Sequence, residues 1–463
     1  MVALRAARPS FTLAWAAALI GAPLSAQDVD LEALIAWPFP TELVAATDAP
    51  RTAWVRNAAG SRNVWLAEAP DWRGRQVTSF EGDDGQDVTD LQMSPDGSIL
   101  VFVRGGAPNR AGEIPNPTSE PEPVDREIWA ADPATGDAWI LGSGAEAALA
   151  EDGSWVAYVE GGRILRRSTA EGDGDGEPDV LVDGRGSPQG LTISPDGSRL
   201  AWSSRRGDHA FIGVYSLATG DLTYLDPGLD LDGSPAWSPD GNRLAYLRIP
   251  NQRHRLPFIA VRETVPWSLR VADVATGRAW TVFTAPEGPG SAFQGISADN
   301  PIQWASGDRI VFPWERNGFL NLYSIPSQGG DPIALAPGPF EVQYVSLTPD
   351  RRRVVFSSNQ GDTNRQHLWE APVDGSDQRL LTPGEGVEWS PRVAGDGTLL
   401  FLASSGTIPA HAEVLEEGGE RRWLASDTRV PDGLRAPEAV TFSATDGMTI
   451  HGQLFLPEGP PPP

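Results

Sequence analysis

Short apolar segments alternate with tight turns along most of the chain. The clearest turns are Ser94-Pro95-Asp96-Gly97, Ser194-Pro195-Asp196-Gly197 and Ser238-Pro239-Asp240-Gly241, and an apolar segment such as Ile99–Val103 follows each of them. Proline presets φ at the first central position of such a turn, aspartate caps it with its own carboxylate, and glycine accepts the positive φ. The pattern therefore predicts a β-hairpin at each copy.

Weaker copies of this turn make the pattern a long-range repeat. They lie at Asp48, Asp152, Asp308, Asp350 and Asp396, so that eight copies follow one another at a mean spacing of about 50 residues. A second turn of the type Ala218-Thr219-Gly220-Asp221 lies inside several repeats between alternating apolar residues. Two hairpins in each repeat amount to four strands, the content of a propeller blade. The chain is thus predicted to be all-β, with an eight-bladed β-propeller over residues 42–426. We expect the ring to be closed by edge pairing between the first and the last blade.

The N-terminus has the layout of a secretory signal peptide. Arg5 and Arg8 precede an apolar segment from Phe11 to Ile20, and small residues follow as far as Ala26. We expect cleavage after Ala26, an N-terminal segment over residues 27–41, and a periplasmic or extracellular location. No later apolar run is long enough to cross a bilayer, so no membrane association is expected after cleavage.

Composition and charge exclude several kinds of partner and site. The chain has 463 residues, a net charge of −26 and no cysteine. Such an acidic protein is a poor ligand for nucleic acid or for an anionic membrane. The absence of cysteine excludes disulfides, thiol nucleophiles and cysteine–zinc sites.

The segment after the repeats has a sequence pattern different from theirs. A polar linker over residues 427–437 leads to Glu438–Ser443, the turn Thr445-Asp446-Gly447, and Met448–Pro457, which contains Ile450-His451-Gly452. This hairpin closely resembles the entry hairpin of the α/β-hydrolase domain in the prolyl oligopeptidase (S9) family of serine peptidases. Upstream stretches resemble the same family, closest to its bacterial members with a dipeptidyl peptidase IV-type propeller. They are Pro38–Pro40, Arg62–Trp65, Pro266–Ser268, Gly318–Tyr323 and Gly384–Trp389.

The resemblance implies a serine peptidase that hydrolyses short peptides without a cofactor, with peptide substrate as the partner of the hydrolase domain. In the family that domain carries a serine in a G-x-S-x-G turn, then an aspartate and a histidine. No serine here has glycine at both −2 and +2. We therefore interpret residues 438–463 as the start of a truncated hydrolase domain and expect the chain alone to be inactive, with no catalytic residue of its own.

Other candidate sites are weaker. The acidic run Glu171–Glu177 alternates carboxylates with glycines, but position 12 of a calcium loop starting at Glu171 is the apolar Val182, so we expect a solvated loop and no metal. The five histidines show no zinc-binding spacing. Arg351–Arg353 is expected to be a solvated turn. Some family members bind the substrate's amino terminus with a tandem glutamate pair before a blade turn, and no such pair precedes Ser94, Ser194 or Ser238 in the repeat turns here.

Strand topology predicts which loops face a substrate. The two longest insertions, Gly105–Arg126 and Ile249–Ser268, fall between the second and third strands of their repeats. Both should project from the face on which the last blade leads into the linker. We expect them to line a substrate chamber, with Arg262 and Glu263 as contacts for peptide termini.

Two other interpretations remain open. A self-contained propeller could act as a periplasmic module that binds a protein or ligand. Alternatively, the propeller could be fused to another hydrolase, such as an amidohydrolase, although the Ile-His-Gly spelling disfavours this. Residues 438–457 discriminate, because a binding module has no need of a hydrolase entry hairpin.

Overall fold

The computed structural model describes residues 31–456 except 112, 118–123, 173–175, 252–261 and 417. The predicted signal peptide therefore lies outside the described residues. A short helix, α1 (Leu31–Ile35), precedes the strands, and none of its residues is buried. No helix in the described ranges is long and apolar enough to cross a membrane.

The strands of the described residues form consecutive antiparallel groups of four, which we call sheets 1 to 8 in chain order. Sheets 4 and 5 share one parallel pairing, Ala210 with Leu231. Sheet 1 comprises β1 (Phe39–Ala45), β2 (Arg51–Ala58), β3 (Ser61–Glu68) and β4 (Arg75–Gln76), and sheet 2 comprises β5 (Val88–Met93), β6 (Leu100–Arg104), β7 (Glu127–Ala131) and β8 (Ala138–Ser143). Sheet 3 comprises β9 (Ala145–Leu149), β10 (Trp155–Glu160), β11 (Arg163–Ser168) and β12 (Asp179–Val182). Sheet 4 comprises β13 (Ser187–Ile193), β14 (Arg199–Arg205), β15 (Ala210–Ser216) and β16 (Leu222–Leu225).

Sheets 5 to 8 continue the same order. Sheet 5 comprises β17 (Leu231–Trp237), β18 (Arg243–Ile249), β19 (Ser268–Asp273) and β20 (Ala279–Thr284), and sheet 6 comprises β21 (Gln303–Ala305), β22 (Arg309–Trp314), β23 (Asn321–Pro326) and β24 (Ile333–Ala334). Sheet 7 comprises β25 (Val342–Leu347), β26 (Arg353–Ser358), β27 (His367–Pro372) and β28 (Arg379–Leu380). Sheet 8 comprises β29 (Val387–Val393), β30 (Leu399–Ser404), β31 (His411–Leu415) and β32 (Arg421–Trp423). A separate hairpin follows, β33 (Glu438–Ser443) and β34 (Thr449–Leu454).

The serine–proline–aspartate–glycine turns join the first and second strands of sheets 2, 4 and 5, as predicted. In the first of them, the Ser94 hydroxyl donates a 2.6 Å hydrogen bond to Asp96, whose carboxylate also accepts from Ser98 N at 2.9 Å. Gly97 has φ +72°. The turn chemistry inferred from the sequence is confirmed at this copy.

Each sheet is buried on both faces. Leu100, Val101, Phe102 and Val103 are consecutive in β6 and are all fully buried, because alternate residues of a strand point to opposite faces. One face of sheet 2 packs on sheet 1 and the other on sheet 3. This stacking explains the short, uninterrupted apolar runs in the sequence, and the arrangement is that of a β-propeller.

The first and last sheets pack against each other, and we call their contact the seam. Its core includes Leu43 and Trp54 from sheet 1 with Leu400 and Val414 from sheet 8. The sequence led us to expect closure by edge pairing, and this is wrong. Propeller sheets meet through their faces, so the seam is made of side chains. No strand of the described residues is exchanged between its two sides.

The strands at the two ends differ slightly from the predicted propeller limits. β1 begins at Phe39, before the predicted start at residue 42, and β32 ends at Trp423, before the predicted end at 426. Phe39 pairs with Asn57 across β1 and β2, so the Pro38–Pro40 stretch belongs partly to the first strand.

Candidate functional site on the loop face

The strand order gives the ring two different faces. The turns between first and second strands and between third and fourth strands lie on one side, which we call the turn face. The loops between second and third strands and the connections between sheets lie on the other, the loop face. The described parts of the insertion between β6 and β7 and of the insertion between β18 and β19 both belong to the loop face, as the sequence predicted.

Residues 262–267, the described arm of the second insertion, are bound to the connection between sheets 5 and 6. The Arg262 carbonyl accepts hydrogen bonds from Gly290 N at 3.0 Å and Ala292 N at 3.3 Å. Ser291 Oγ accepts a 2.8 Å bond from Thr264 N. The arm therefore has a fixed backbone position on the loop face.

Two tryptophan side chains anchor the connection between sheets 5 and 6. Trp267 Nε1 and Trp314 Nε1 each donate a 3.1 Å hydrogen bond to the Gly290 carbonyl. Gly290 has φ +82°, and a Cβ there would lie 2.7 Å from the Glu315 carbonyl oxygen. Only glycine satisfies both the conformation and the close approach.

Both predicted substrate contacts lie on this arm. The Arg262 side chain is 60% exposed, and its Nε lies 3.2 Å from Glu315 Oε1, in a carboxylate that is only 10% exposed. Glu263 is exposed. Sequence reasoning missed Glu315, which follows β22 without any motif. The Arg262 side chain therefore stays mostly exposed beside a carboxylate that is nearly buried.

A buried ionic cluster fixes the base of the same insertion. Arg248, near the end of β18, donates to both Asp232 carboxylate oxygens at 2.7 Å. Asp226 lies 3.1 Å from Arg248 and 2.6 Å from Arg270, which is in β19, and it accepts a 3.0 Å bond from the Tyr246 hydroxyl. The positive charges of two arginines, one on each strand that flanks the insertion, thus balance the negative charges of two aspartates.

Burial governs the titration of this cluster. It is the largest influence on Asp232 and raises the pKa of that carboxyl, although the hydrogen bonds from Arg248 act in the opposite direction. The hydrogen bond with Asp232 raises the pKa of Arg248, and burial raises that of the Tyr246 hydroxyl. The ion pairs of the cluster therefore tie β18 and β19 together at the base of the insertion.

A second buried network joins sheets 7 and 8. Glu388 accepts from Arg421 Nη1 at 2.8 Å and from Thr382 Oγ1 at 3.0 Å, and His367 Nδ1 lies 2.9 Å from it. The threonine and the histidine both contact the carboxylate and are not arranged in series. A Ser–His–Asp relay needs the base between the nucleophile and the acid. This network therefore has the groups but not the geometry of a nucleophilic triad.

The same network extends to His411 and Glu413. His411 Nε2 lies 2.7 Å from Glu413 Oε1, and Arg421 Nε donates to Glu413 Oε2 at 2.6 Å. Burial alone would raise the pKa of Glu413, but the hydrogen bonds with His411 and Arg421 and the charge of Arg421 outweigh it and hold the pKa below its ordinary value. The network is a structural tie between the strands of sheet 8.

Metal ligation finds no support in the described portion of the chain, where no group of three or more histidine, aspartate or glutamate side chains could hold an ion. Part of the acidic run Glu171–Glu177, at residues 173–175, lies outside the described residues.

A cavity of about 350 Å³ opens on sheet 1 beside Arg56. Trp65, Gln76 and Phe80 are among its walls. Buried Asn63 in this wall donates to the Phe80 carbonyl at 3.0 Å and accepts from Phe80 N at 2.7 Å. The amide group of Asn63 is therefore satisfied within the fold.

The fold and the loop-face insertions define the class of protein: a β-propeller whose longest loops and outgoing linker share one face. Residues 268–409 match the family described as the dipeptidyl peptidase IV N-terminal region. Over these residues the chain is similar to the propeller region of S9-family peptidases, in agreement with the sequence motifs.

Curated relatives are similar over parts of the chain. A probable dipeptidyl peptidase 4 of Emericella nidulans is 25% identical over 33% of this chain and 20% of its own length. Tricorn protease homolog 1 of Streptomyces coelicolor is 26% identical over 56% of the chain and 22% of its own length. The uncharacterized peptidase YuxL of Bacillus subtilis is 26% identical over 43% and 28%, respectively. The chain spans less than a third of the length of each of these relatives.

Solved structures with the same fold cover almost all of the chain. Dipeptidyl peptidase 4 of Porphyromonas gingivalis superimposes with a TM-score of 0.64 at 11% identity, over 93% of this chain and 67% of that one. A puromycin-hydrolyzing peptidase of Mycobacterium tuberculosis gives a TM-score of 0.55 at 18% identity, over 93% and 59%. At these identities the likeness establishes the fold alone.

Proposed function

We propose that this chain is the propeller portion of a secreted serine peptidase that hydrolyses short peptides. In this proposal sheets 1 to 8 are the blades of a closed eight-bladed ring. The hairpin β33–β34 begins a catalytic α/β-hydrolase domain that stands over the loop face. The family of the propeller region and the signal-like residues 1–26 support the proposal.

The observation that carries it is the distribution of exposed apolar side chains. Large apolar residues that are exposed in the described ranges lie before or at the start of β1, in loops of the loop face, in the last hairpin and just after it, or on the outermost strands of four sheets. They are Leu31, Ile35, Phe39, Leu229, Val265, Phe442, Met448, Leu454, Phe455 and Leu456, with Ile140, Val180, Leu222 and Leu380 on outermost strands.

The described turns of the turn face carry none of these residues. Exposed apolar groups that collect on one side of a protein mark a surface that another body covers. The hairpin has this character most clearly, and the loop face adds Leu229 and Val265 to it. This distribution fits a domain that continues from the hairpin and rests on the ring. A free-standing binding module would have no use for the apolar hairpin.

Within this proposal, Arg262 and Glu263 are contacts for the termini of a short peptide. The arm that carries them is hydrogen-bonded at Arg262 and Thr264 to the connection between sheets 5 and 6. The backbone of both residues therefore has a defined place on the loop face. Glu315 orients the Arg262 guanidinium and leaves its outer donors for a ligand oxygen.

The test begins with the genomic reading frame after codon 463. We expect it to encode a serine nucleophile, an aspartate and a histidine in that order, and the protein expressed from it to be labelled by a fluorophosphonate probe. Residues 27–463 alone should remain unlabelled. Labelling of the shorter chain, or a stop codon directly after codon 463, would contradict the proposal, and the stop codon would favour a binding module.

The contact assignment has its own test in the longer protein. Glu263→Gln and Arg262→Gln should each lower kcat/KM for short peptides, mainly through KM, because they remove binding contacts and leave the reacting groups in place. Arg278→Gln, on the turn face, is the matched control. Unchanged kcat/KM in both loop-face variants would refute the assignment.

A further inference from the structure

The guanidinium of Arg56 joins the first sheet to the linker that follows the last one. Arg56 Nη1 and Nη2 donate to the two carboxylate oxygens of Asp427 at 2.9 and 2.7 Å, and Nη2 also donates to Thr428 Oγ1 at 2.9 Å. The guanidinium carbon lies 4.4 Å from the centre of the Trp65 ring. Its side chain is only 9% exposed, so the fork is held in one orientation.

The linker crosses the seam twice. The chain leaves sheet 8 at Leu424, before the linker, and the Leu424 carbonyl accepts a 2.5 Å hydrogen bond from Gly74 N. The linker reaches sheet 1 at Arg56, and its other end returns to sheet 8. There a Cβ on Gly406 would lie 2.8 Å from Ala436 Cα and 2.9 Å from Pro437 Cδ. The hairpin β33–β34 begins directly after this second contact.

The N-terminal segment crosses the same seam. Trp37 Nε1 donates a 2.7 Å hydrogen bond to the Ala410 carbonyl of sheet 8, and its ring meets the Trp423 ring edge to face at 6.3 Å. The chain then enters sheet 1 through β1. Two segments from opposite ends of the propeller therefore bridge sheets 1 and 8.

We propose that Arg56 is a positioning residue, a latch that holds the linker to sheet 1. It thereby fixes where the hairpin β33–β34 stands over the loop face. Its importance for catalysis rests on the proposed function, because the latch would then orient the catalytic domain towards Arg262 and Glu263. The latch itself is a property of the described residues.

The electrostatics of the Arg56–Asp427 pair favour the bound state of the linker. Burial alone would raise the pKa of Asp427, but the hydrogen bonds and charge of Arg56 outweigh it and hold the pKa below its ordinary value. A bidentate arginine–carboxylate pair is directional as well as charged. Lysine can supply the charge but not the fork.

The absence of native cysteine makes a direct distance measurement simple. Spin labels on Thr363→Cys, in an exposed loop of sheet 7, and on Ser443→Cys, in β33, report the position of the hairpin relative to the ring. The parent protein should give one narrow distance distribution. Arg56→Gln and Asp427→Asn should each shift the ratio of docked to undocked linker by about ten- to a hundredfold and broaden the distribution.

Further variants separate the latch from a general loss of structure. Arg51→Gln, in the same strand, removes a 2.8 Å ion pair with Glu68 that does not involve the linker, and it should leave the distribution narrow. Arg56→Lys should give an intermediate distribution. If Arg56→Gln fails to fold, Asp427→Asn and Thr428→Ala test the same contact from the linker side.

An unchanged distribution in Arg56→Gln and Asp427→Asn would overturn the latch, as would equal broadening in Arg51→Gln. These outcomes do not depend on enzymatic activity. A narrow parent distribution that broadens as expected would establish the latch even if the longer reading frame encoded no peptidase, in which case only the proposed function would fail.

Discussion

At the scale of single residues, exposure determines which charged pairs matter. Arg248 and Asp232 meet with side chains 15% and 1% exposed, whereas Arg429 and Asp432 meet with both side chains 83% exposed. Coulombic attraction is strong in the interior, but so is the cost of leaving one charge there without its partner. The two pairs have similar geometry and should have very different energetic effects.

Arg248→Ala should lower the free energy of unfolding by about 3–5 kcal/mol, because it leaves Asp232 buried and unpaired. Arg429→Ala should change it by less than about 1 kcal/mol. Urea denaturation of both variants measures the difference. Adding Asp232→Asn to the Arg248→Ala protein should recover part of the loss, and equal effects of the two single variants would contradict this account.

The turn aspartates predict a pH dependence. Hydrogen bonds from Ser94, Ser194 and Ser238 are the largest cause that lowers the pKa of Asp96, Asp196 and Asp240 from the ordinary value of 3.8. A carboxyl whose pKa is lower in the folded than in the unfolded state stabilises the fold above the unfolded value. That contribution is lost as the pH falls through the folded value.

Replacing these three aspartates with asparagine should therefore flatten the loss of stability below about pH 4. The measurement is the free energy of unfolding in urea at pH 7 and at pH 3. The same replacement at three exposed aspartates, Asp71, Asp331 and Asp377, is the control. Parallel stability profiles for the turn variant and the parent would show that these turns do not carry the effect.

At the scale of elements, the sequence indicated the hairpins well and their irregularities poorly. Proline and glycine fix turn conformation locally, so the turns could be identified without the structure. The innermost strands also contain bulges, at which Glu42, Asp90 and Ser234 have φ of 53°, 52° and 55°. Nothing local favours this conformation in residues with a Cβ. We attribute this conformation to packing around the ring, and no sequence pattern predicted it.

The candidate site can be divided in the same way. Arg262 and Glu263 could be proposed from the sequence because topology alone assigns an insertion to a face. Glu315 and Arg56 were missed because each acts on a residue distant in sequence, Arg262 in one case and Asp427 in the other. Long-range pairs of this kind carry no periodic or local signal in a single sequence.

Two glycines of one connection test how the insertion arm is held. Gly288 and Gly290 have φ of +96° and +82°, so alanine is strained at both, but only at Gly290 would its Cβ meet neighbouring atoms. Gly290→Ala should therefore be the more destabilising and should also displace the arm. A red shift in tryptophan fluorescence, from exposure of Trp267 and Trp314, should appear in that variant only. Matching spectra for Gly288→Ala and Gly290→Ala would contradict the assigned role.

At the scale of the whole molecule, the seam has the composition of an ordinary interface between sheets. Leu400 is fully buried at the seam, and Leu244 is fully buried between sheets 4 and 5. If the ring is closed, the interface between its ends should be as strong as one within the chain. A weak seam would instead let the ring open before the sheets unfold.

Leu400→Ala and Leu244→Ala should thus destabilise the protein to a similar extent, by about 2–5 kcal/mol. Both variants should unfold in one cooperative transition, followed by circular dichroism and by tryptophan fluorescence in urea. A much smaller loss for Leu400→Ala, or an early fluorescence transition confined to that variant, would indicate a ring that is open at the seam.

The crossing segments have a mechanical consequence. The N-terminal segment is held on sheet 8 at Trp37 before it enters sheet 1. The linker returns to sheet 8 at Gly406 after it has been held on sheet 1 by Arg56. Tension applied at either end of the propeller therefore pulls sheet 1 towards sheet 8. A load that would pry open a simple ring would instead press these two sheets together.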